Sequence, residues 1–152
     1  MSKRRSTRKK KSVVAVSGGF DPIHLGHLRM FKEAKRLGDK LVVIINSDGW
    51  LRRKKGAYFM TGNERAEIIR EFDCVDTVVV LTSVKPDVSD ALRKLKPSIF
   101  ANGGDRKKVE DIPEAQVCKQ LGIEMKFNVG GKKVRSSSDM LEKYCEVIIA
   151  KQ

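Results

Sequence analysis

Val13-Val14-Ala15-Val16-Ser17-Gly18-Gly19-Phe20-Asp21-Pro22-Ile23-His24-Leu25-Gly26-His27 decides how the rest of this chain is read. Four apolar residues in a row make a short strand candidate buried on both faces. Two glycines then permit a tight turn of phosphate size. Two histidines follow, three residues apart with a glycine between them, where a helical pattern begins. Strand, glycine-rich loop and helix start together supply backbone N–H groups, the positive end of a helix dipole and two imidazoles at one place. That combination suits a polyphosphate whose bonding changes.

Strand-like and helix-like segments alternate downstream. Leu41–Ile45, Thr77–Leu81, Ser98–Ala101 and Ile123–Phe127 read as further strands. Helical spacing is predicted from His27 to Leu37, where Gly38 can cap the end, and from Gly62 to Phe72. It recurs from near Asp87 to Leu95, over Glu114–Leu121 with Gly122 as the stop, and from Ser137 to Tyr144. No element is predicted over residues 46–61. Strands apolar on both faces and separated by helices imply an α/β fold, a Rossmann-like doubly wound sheet of about five parallel strands covered on both sides. Ligands bind beyond the carboxyl ends of such strands. The notable polar groups follow strands: Gly18 to His27 after the first, Asn46-Ser47-Asp48 after the second, and Asn102-Gly103-Gly104-Asp105 after the fourth. They are expected to converge on one edge.

The chain has 152 residues, 34% of them charged and 40% hydrophobic, and a net charge of +13. One globular domain over residues 13–152 accounts for that length. Residues 1–12 carry seven cations and no acid. They read as a disordered basic tail, either a solubilising extension or a contact for nucleic acid. No apolar run approaches the ~20 residues of a membrane span, and the charged start lacks the apolar core of a signal peptide, so a cytoplasmic location is expected. Cys74, Cys118 and Cys145 form no CxxC pattern, so reduced and mostly buried thiols are expected. The chain's two histidines, His24 and His27, both lie in the opening loop. Without a nearby carboxylate or cysteine set they make a poor metal site, and no metal-ligating residues are assigned. As hydrogen-bond donors to a phosphoryl oxygen they could stabilise charge that shifts in a transition state.

Gly19-Phe20-Asp21-Pro22-Ile23-His24-Leu25-Gly26-His27 resembles the HxGH signature of the nucleotidyltransferase superfamily of cytidylyltransferases and adenylyltransferases. Asn46-Ser47-Asp48 followed by Arg52-Arg53-Lys54-Lys55-Gly56 resembles the adenylyltransferase domain of ADP-heptose synthases. Glu64-Arg65-Ala66, Val75-Asp76, Asn102-Gly103-Gly104-Asp105 and Arg135-Ser136-Ser137-Ser138 continue the match in order. Glycerol-3-phosphate cytidylyltransferase is similar too. Two departures stand out: Gly19 occupies a position where many members carry Thr or Ser, and the serine run is not Ser-Thr-Thr.

The resemblance implies transfer of a nucleotidyl group from CTP or ATP to a small phosphorylated sugar or polyol, with release of pyrophosphate. The attacking phosphate oxygen is already ionised near pH 7, its second pKa being about 6, so no general base is required. By the resemblance, His24, His27, Lys55 and Arg65 are the catalytic set. Gly18, Gly19, Phe20, Gly26, Gly104, Asp105, Arg135, Ser136, Ser137 and Ser138 face the nucleotide. Asp48, Lys54 and Arg65 face the acceptor. Plainer readings stand beside these. The Arg/Lys run reads as a solvated loop, Arg65 as a helix-surface ion pair with Glu64 or a neighbour, the serines as an N-cap, and Asp105 as part of a strand-end turn. Asp21 reads as a loop-ordering residue, and Trp50 either covers the acceptor pocket or packs on a neighbour. Mg²⁺ is expected with the triphosphate, and relatives often form homodimers. Two other functions are weighed: an adenylyltransferase of dinucleotide or coenzyme A synthesis, and a non-catalytic nucleic-acid-binding protein using the basic tail.

Overall fold

The apolar run at the start of the chain becomes the central strand of a five-stranded sheet. A computed structural model describes residues 9–83, 88–104, 108–109 and 112–152. Within them β1 spans Val13–Gly18, β2 Lys40–Ile45, β3 Thr77–Val80, β4 Ile99–Ala101 and β5 Glu124–Lys126. The strand order is β3-β2-β1-β4-β5, and every neighbouring pair is parallel. The helices are α1 (Leu25–Arg36), α2 (Asp48–Lys55), α3 (Gly62–Arg70), α4 (Ser89–Leu95), α5 (Ala115–Leu121) and α6 (Ser137–Ile149).

Strand periodicity divides the core between the two faces. Val14, Val16, Leu41, Val43 and Ile45 pack with Phe31 and Ala34 of α1 and Ala66 and Ile69 of α3. Ala15, Val42, Ile44 and Phe100 point the other way and pack with Leu92 of α4 and Val117 and Cys118 of α5. This is the doubly wound α/β arrangement expected from the both-face-apolar strands. The chain winds outward through β2 and β3, then returns to the other side of β1 with β4. The switch between β1 and β4 opens a crevice at their carboxyl ends, where such sheets bind ligands.

The structure amends several local expectations. Residues 48–55 form a helix, not a loop. Ser47 caps it, its hydroxyl accepting from the Trp50 backbone N–H at 3.0 Å, and left-handed Gly56 (φ 86°) ends it. Only Leu51 of α2 is buried, so the helix lacks the apolar period that would reveal it. α1 begins earlier than expected, at Leu25, and stops at Leu37 in a right-handed conformation, so Gly38 is not its left-handed cap. Ser12 belongs to the folded body. It donates to the Asp39 carboxylate through its N–H (2.7 Å) and hydroxyl (3.0 Å), and its carbonyl accepts from Asp39 and Lys40. Of the cysteines, Cys118 is buried, Cys74 half-buried and Cys145 exposed; all are free. Among the described residues no helix is long and apolar enough to cross a membrane. Most of the basic tail (Lys3, Arg4, Arg5 and Arg8), the helix start near Asp87, and Asp105 lie outside the described residues.

Candidate active site

The loop after β1 is held in shape before any ligand arrives. Asp21, 2% exposed, accepts from the backbone N–H groups of Phe59 (2.6 Å) and Met60 (2.7 Å). Its lone pairs are thus spent on ordering the loop between α2 and α3. Phe20 sits in the left-handed region (φ 50°), a conformation that costs a non-glycine residue about 1–2 kcal/mol. Its ring, 4% exposed, offsets that by wedging edge-on against His27 (5.0 Å between centroids) and Phe31 (5.1 Å). Phe20 therefore supports His27 from below as well as lining the floor of the cleft.

The two histidines cap α1. His24 is the N-cap, and its Nδ1 accepts from the Gly26 N–H at 3.1 Å. His27 answers: its Nδ1 accepts from the His24 N–H at 3.2 Å. The pair is a capping box in which imidazoles replace the usual hydroxyl and carboxylate. A Cβ on Gly26 would stand 3.0 Å from His24 Cε1, so any larger residue there would press on the folded-back His24 ring. Because both Nδ1 atoms accept, the hydrogen-bond network assigns each proton to Nε2. The rings stack at 3.8 Å between centroids and 20° between planes. Two imidazoliums at that distance would repel strongly. Burial, then His24 and Lys55, push the His27 pKa down to about 3. Burial, then Lys133 and Arg135, lower that of His24. At neutral pH both rings are uncharged and each carries an Nε2–H donor that no hydrogen bond among the described residues consumes.

A cleft of about 350 Å³ opens over these rings, within the size range of small-ligand sites. Of the expected site residues, Gly18, Gly19, Phe20, His24, Gly26, His27, Lys54, Lys55, Gly104, Arg135, Ser136, Ser137 and Ser138 line it. Two do not, Asp48 and Arg65. Arg65 is wholly buried and its guanidinium faces inward. Nη1 donates to the carbonyls of Gly19 (2.7 Å) and Asn46 (2.9 Å), Nε to that of Met60 (3.1 Å), and Nη2 to Asp48 Oδ1 (2.6 Å). In this geometry Arg65 does not line the cleft, and its hydrogen bonds run to loop atoms and not to Glu64. It is a clamp on the loops that carry other site residues, and Asp48 is its counter-ion. Glu64 instead closes a capping box with Thr61 at the start of α3.

The serine run does cap a helix. Ser136 Oγ accepts from the Asp139 N–H at 3.4 Å, and Ser137 Oγ donates to the Pro22 carbonyl at 2.8 Å, tying the start of α6 to the β1–α1 loop. The helix N-terminus thus opens into the cleft with Ser138 beside it. Sequence reading missed the segment before it. Gly130, Gly131, Lys132 and Lys133 also line the cleft. Gly130 has φ 91° and lies so close to α1 that a Cβ would meet Met30 Cα at 2.8 Å. Its N–H donates to Glu33 Oε2 at 2.8 Å. A glycine pair followed by cations, four residues past the end of the fifth strand, repeats the strand, glycine and polar-group pattern of the first, and that was the available signal.

Residues 15–141 match the cytidylyltransferase-like family. The bifunctional protein HldE of Streptomyces coelicolor is 39% identical over 113 residues, covering 73% of this chain and 24% of that protein. HldE of Pelobacter propionicus is 35% identical over 144 residues, covering 90% of this chain and 28% of the relative. The chain thus spans about a quarter of the length of these curated relatives. Among solved structures, the lipopolysaccharide core biosynthesis protein of Thermoplasma volcanium superposes with a TM-score of 0.65 at 32% identity, covering 77% of this chain and 93% of that one. A pantoate-beta-alanine ligase from Francisella tularensis shares the fold alone, with a TM-score of 0.59 at 19% identity over 90% of this chain and 67% of that one. On the match over residues 15–141 and the HldE relatives, this chain belongs to the cytidylyltransferase-like family of nucleotidyltransferases.

Proposed function

We propose that this domain transfers an adenylyl group from ATP to the phosphate of a small phosphorylated sugar, releasing pyrophosphate. An oxygen of the acceptor phosphate bonds to the α-phosphorus. The bond from that phosphorus to the bridging oxygen breaks, and its electron pair leaves with pyrophosphate. No proton need be removed, since the acceptor is ionised at neutral pH. The observation that carries this reading is the stacked histidine pair, whose Nδ1 atoms are both fixed by backbone N–H groups. Two neutral imidazoles with their donors already oriented can bind developing phosphoryl charge without reorganising. They are unsuited to act as bases near pH 7, and an in-line displacement by a phosphate does not need one.

The remaining assignments follow the two walls of the cleft. Lys133, Arg135, Ser138 and the N-terminus of α6 would hold the triphosphate. Lys55, on the opposite wall, would hold phosphate oxygens near the reacting atoms. Asp105, from the resemblance, stays assigned to the nucleotide. Mg²⁺ would enter on the triphosphate. The described cleft-lining residues include no carboxylate, and no cluster of three or more His, Cys, Asp or Glu among the described residues could hold a metal. The described residues thus form no cage there, and such an ion would keep water and phosphate oxygens as ligands. ATP is preferred to CTP because the Asn46–Gly56 stretch resembles adenylyltransferase domains of ADP-heptose synthases. The sugar is supported by the HldE relatives and by the lipopolysaccharide core biosynthesis neighbour.

The test is pyrophosphate release with ATP, CTP, GTP and UTP against heptose 1-phosphate, mannose 1-phosphate, glycerol 3-phosphate and phosphocholine. ATP with a sugar phosphate is expected to give the highest kcat/KM. Absence of release with every pair would overturn the proposal.

A further inference from the structure

Phe20 takes a backbone conformation that its neighbours could have taken at less cost. In Gly18-Gly19-Phe20 neither glycine has a left-handed φ, whereas the phenylalanine does (50°). Glycine enters that region freely, and a residue with a side chain is strained there. What the strain secures is the place of the ring. Phe20 is 4% exposed. Its ring meets the imidazole of His27 at 88° and the ring of Phe31, one turn further along α1 and wholly buried, at 72°. A Cβ on Gly18 would stand 2.9 Å from Phe20 Cζ, so the glycine that ends β1 leaves the room this ring fills. His27 is thereby held three ways: at Nδ1 by the His24 N–H, on its stacked face by the His24 ring, and edge-on by Phe20. The first two holds come from the helix cap itself. The third comes from the β1–α1 loop and is anchored to the core through Phe31.

We propose that Phe20 is a positioning residue: it keeps the His27 imidazole aimed at the transferring phosphoryl group, and acts on turnover through it rather than by holding the nucleotide. The inference rests on the reading of His27 as a donor to that group. A donor aimed in advance does not reorganise as charge develops, and a small error of aim is costly. Phe20 lines the floor of the cleft, yet so little of it is exposed that a nucleotide would gain little contact from it. The same ring keeps water from one side of His27. Burial is the chief cause of the lowered His27 pKa, followed by His24, the N-cap of α1, and Lys55, the last residue of α2. His24 in turn faces Lys133 and Arg135, from the segment before α6. Phe20 and Phe31 bring no charge. Removing the Phe20 ring returns water to the imidazole and moves its pKa upward, while His24 and Lys55 still oppose protonation.

The chain has two histidines, so the imidazole signals of the full chain can be followed by NMR and assigned by their loss in His27→Asn. The experiment compares wild type with Phe20→Leu and Phe20→Gly, each checked as folded by urea unfolding. Leucine keeps apolar bulk without the flat ring. Glycine removes the ring and also lifts the backbone strain, so that variant need not tolerate a side chain at φ 50°. Both are expected to lower kcat about tenfold or more, with the ATP and acceptor KM within about twofold of wild type. Between pH 8 and pH 5 the wild-type His27 signals are expected to stay at the neutral position. Those of Phe20→Gly are expected to move toward the protonated position within that window. A residue that only stabilised the fold would move neither kcat nor the titration in a folded variant. Unchanged kcat in both variants, a tenfold higher ATP KM at unchanged kcat, or His27 signals that do not move in either variant would overturn the inference. The titration needs no turnover. If no nucleotide and acceptor pair releases pyrophosphate, the catalytic reading fails, while the His27 signals still decide whether Phe20 governs that imidazole.

Discussion

On the α2–α3 side of the cleft, one buried guanidinium holds the ends of β1 and β2, the start of α2 and the segment before α3. On the β5–α6 side, single hydrogen bonds from Gly130 to Glu33, from Ser137 to Pro22 and from Val129 to Asn102 do the equivalent work. The first wall adds Asp21 beneath it and is continuous with the core. The second ends in α6, none of whose residues is buried and whose Met140, Tyr144, Val147, Ile148 and Ile149 are exposed. Sparse apolar burial means a low free energy of local opening. The difference matches the chemistry proposed for each wall. The acceptor must be aimed at the α-phosphorus, where small misplacements are costly. The triphosphate side must grip a polyanion and then release pyrophosphate.

The largest effect is expected from breaking the clamp. Arg65→Met leaves the carbonyls of Gly19, Asn46 and Met60, and the Asp48 carboxylate, without this donor. The Asp48 side chain is 36% exposed, so water takes up part of its loss; a buried carbonyl left without a donor costs about 1–3 kcal/mol, read as a lower urea midpoint at unchanged slope. Lysine keeps the charge but not the planar fork, so Arg65→Lys is expected to recover only part of the stability. Wild-type stability in Arg65→Met would remove the distinction between the two walls.

His27 separates a structural role from a chemical one, because its two nitrogens do different work. Asparagine places an acceptor near the position of Nδ1, whereas glutamine reaches toward Nε2. His27→Asn is therefore expected to keep the cap and lose about 10²–10³ in kcat, the usual effect of removing one transition-state donor. His27→Gln is expected to retain more turnover and lose more stability. The pH dependence follows from the pKa lowered to about 3 in the fold against an ordinary 6.5. As pH falls below 6.5, the unfolded chain takes up the proton first, so the stability contributed by a neutral His27 is present above 6.5 and is lost progressively down to about pH 3. Denaturation midpoints measured across that window should slope less steeply in either variant than in the wild type.

These residues also show what a sequence can and cannot carry. The strands were legible because burial on both faces leaves unbroken apolar runs, and the cleft's location followed from the rule that polar loops gather at the carboxyl ends of parallel strands. The histidines stand out in the sequence as candidate phosphate donors by their type and place, and the structure sets both in the lining of the cleft. Their mutual capping was not legible, since it depends on which nitrogen meets which backbone N–H. α2 escaped notice because a helix that buries only Leu51 writes no period, although Ser47 and Gly56 marked its ends. Arg65 reads as an acceptor ligand because Glu64-Arg65-Ala66 resembles the family's helix and a planar fork suits phosphate. Only three-dimensional placement shows that its fork is occupied by Gly19, Asn46, Met60 and Asp48. Lys132 and Lys133 were passed over because the charge of a loop says nothing about the direction it faces.

On the weaker wall, Ser137→Ala removes the hydroxyl that joins α6 to the Pro22 carbonyl. One neutral hydrogen bond is worth about 0.5–1.5 kcal/mol. The expected result is a small fall in stability and a rise of a few-fold in the ATP KM, with the acceptor KM unchanged. A larger rise in the acceptor KM would mean that the walls are not functionally separate.

The smallest effect is expected at the opposite end of the sheet. The tail joins the fold at Ser12, at the amino end of β1, whereas the cleft lies beyond that strand's carboxyl end. Six strand residues separate the two by roughly 20 Å. At about 0.1 M salt, charges separated by more than about 10 Å are largely screened. Deleting residues 1–8 removes four cations. It is expected to leave kcat/KM within twofold of the full chain at both 50 and 200 mM salt. A tail that contributed to catalysis by attracting the anionic substrates would show a deficit at the lower salt that vanishes at the higher. A tail that bound nucleic acid would leave turnover alone. Its deletion would flatten the salt dependence of duplex binding by roughly 0.9 in logarithmic slope for each phosphate no longer neutralised. The deletion thus separates the charge of residues 1–8 from that of the cations lining the cleft.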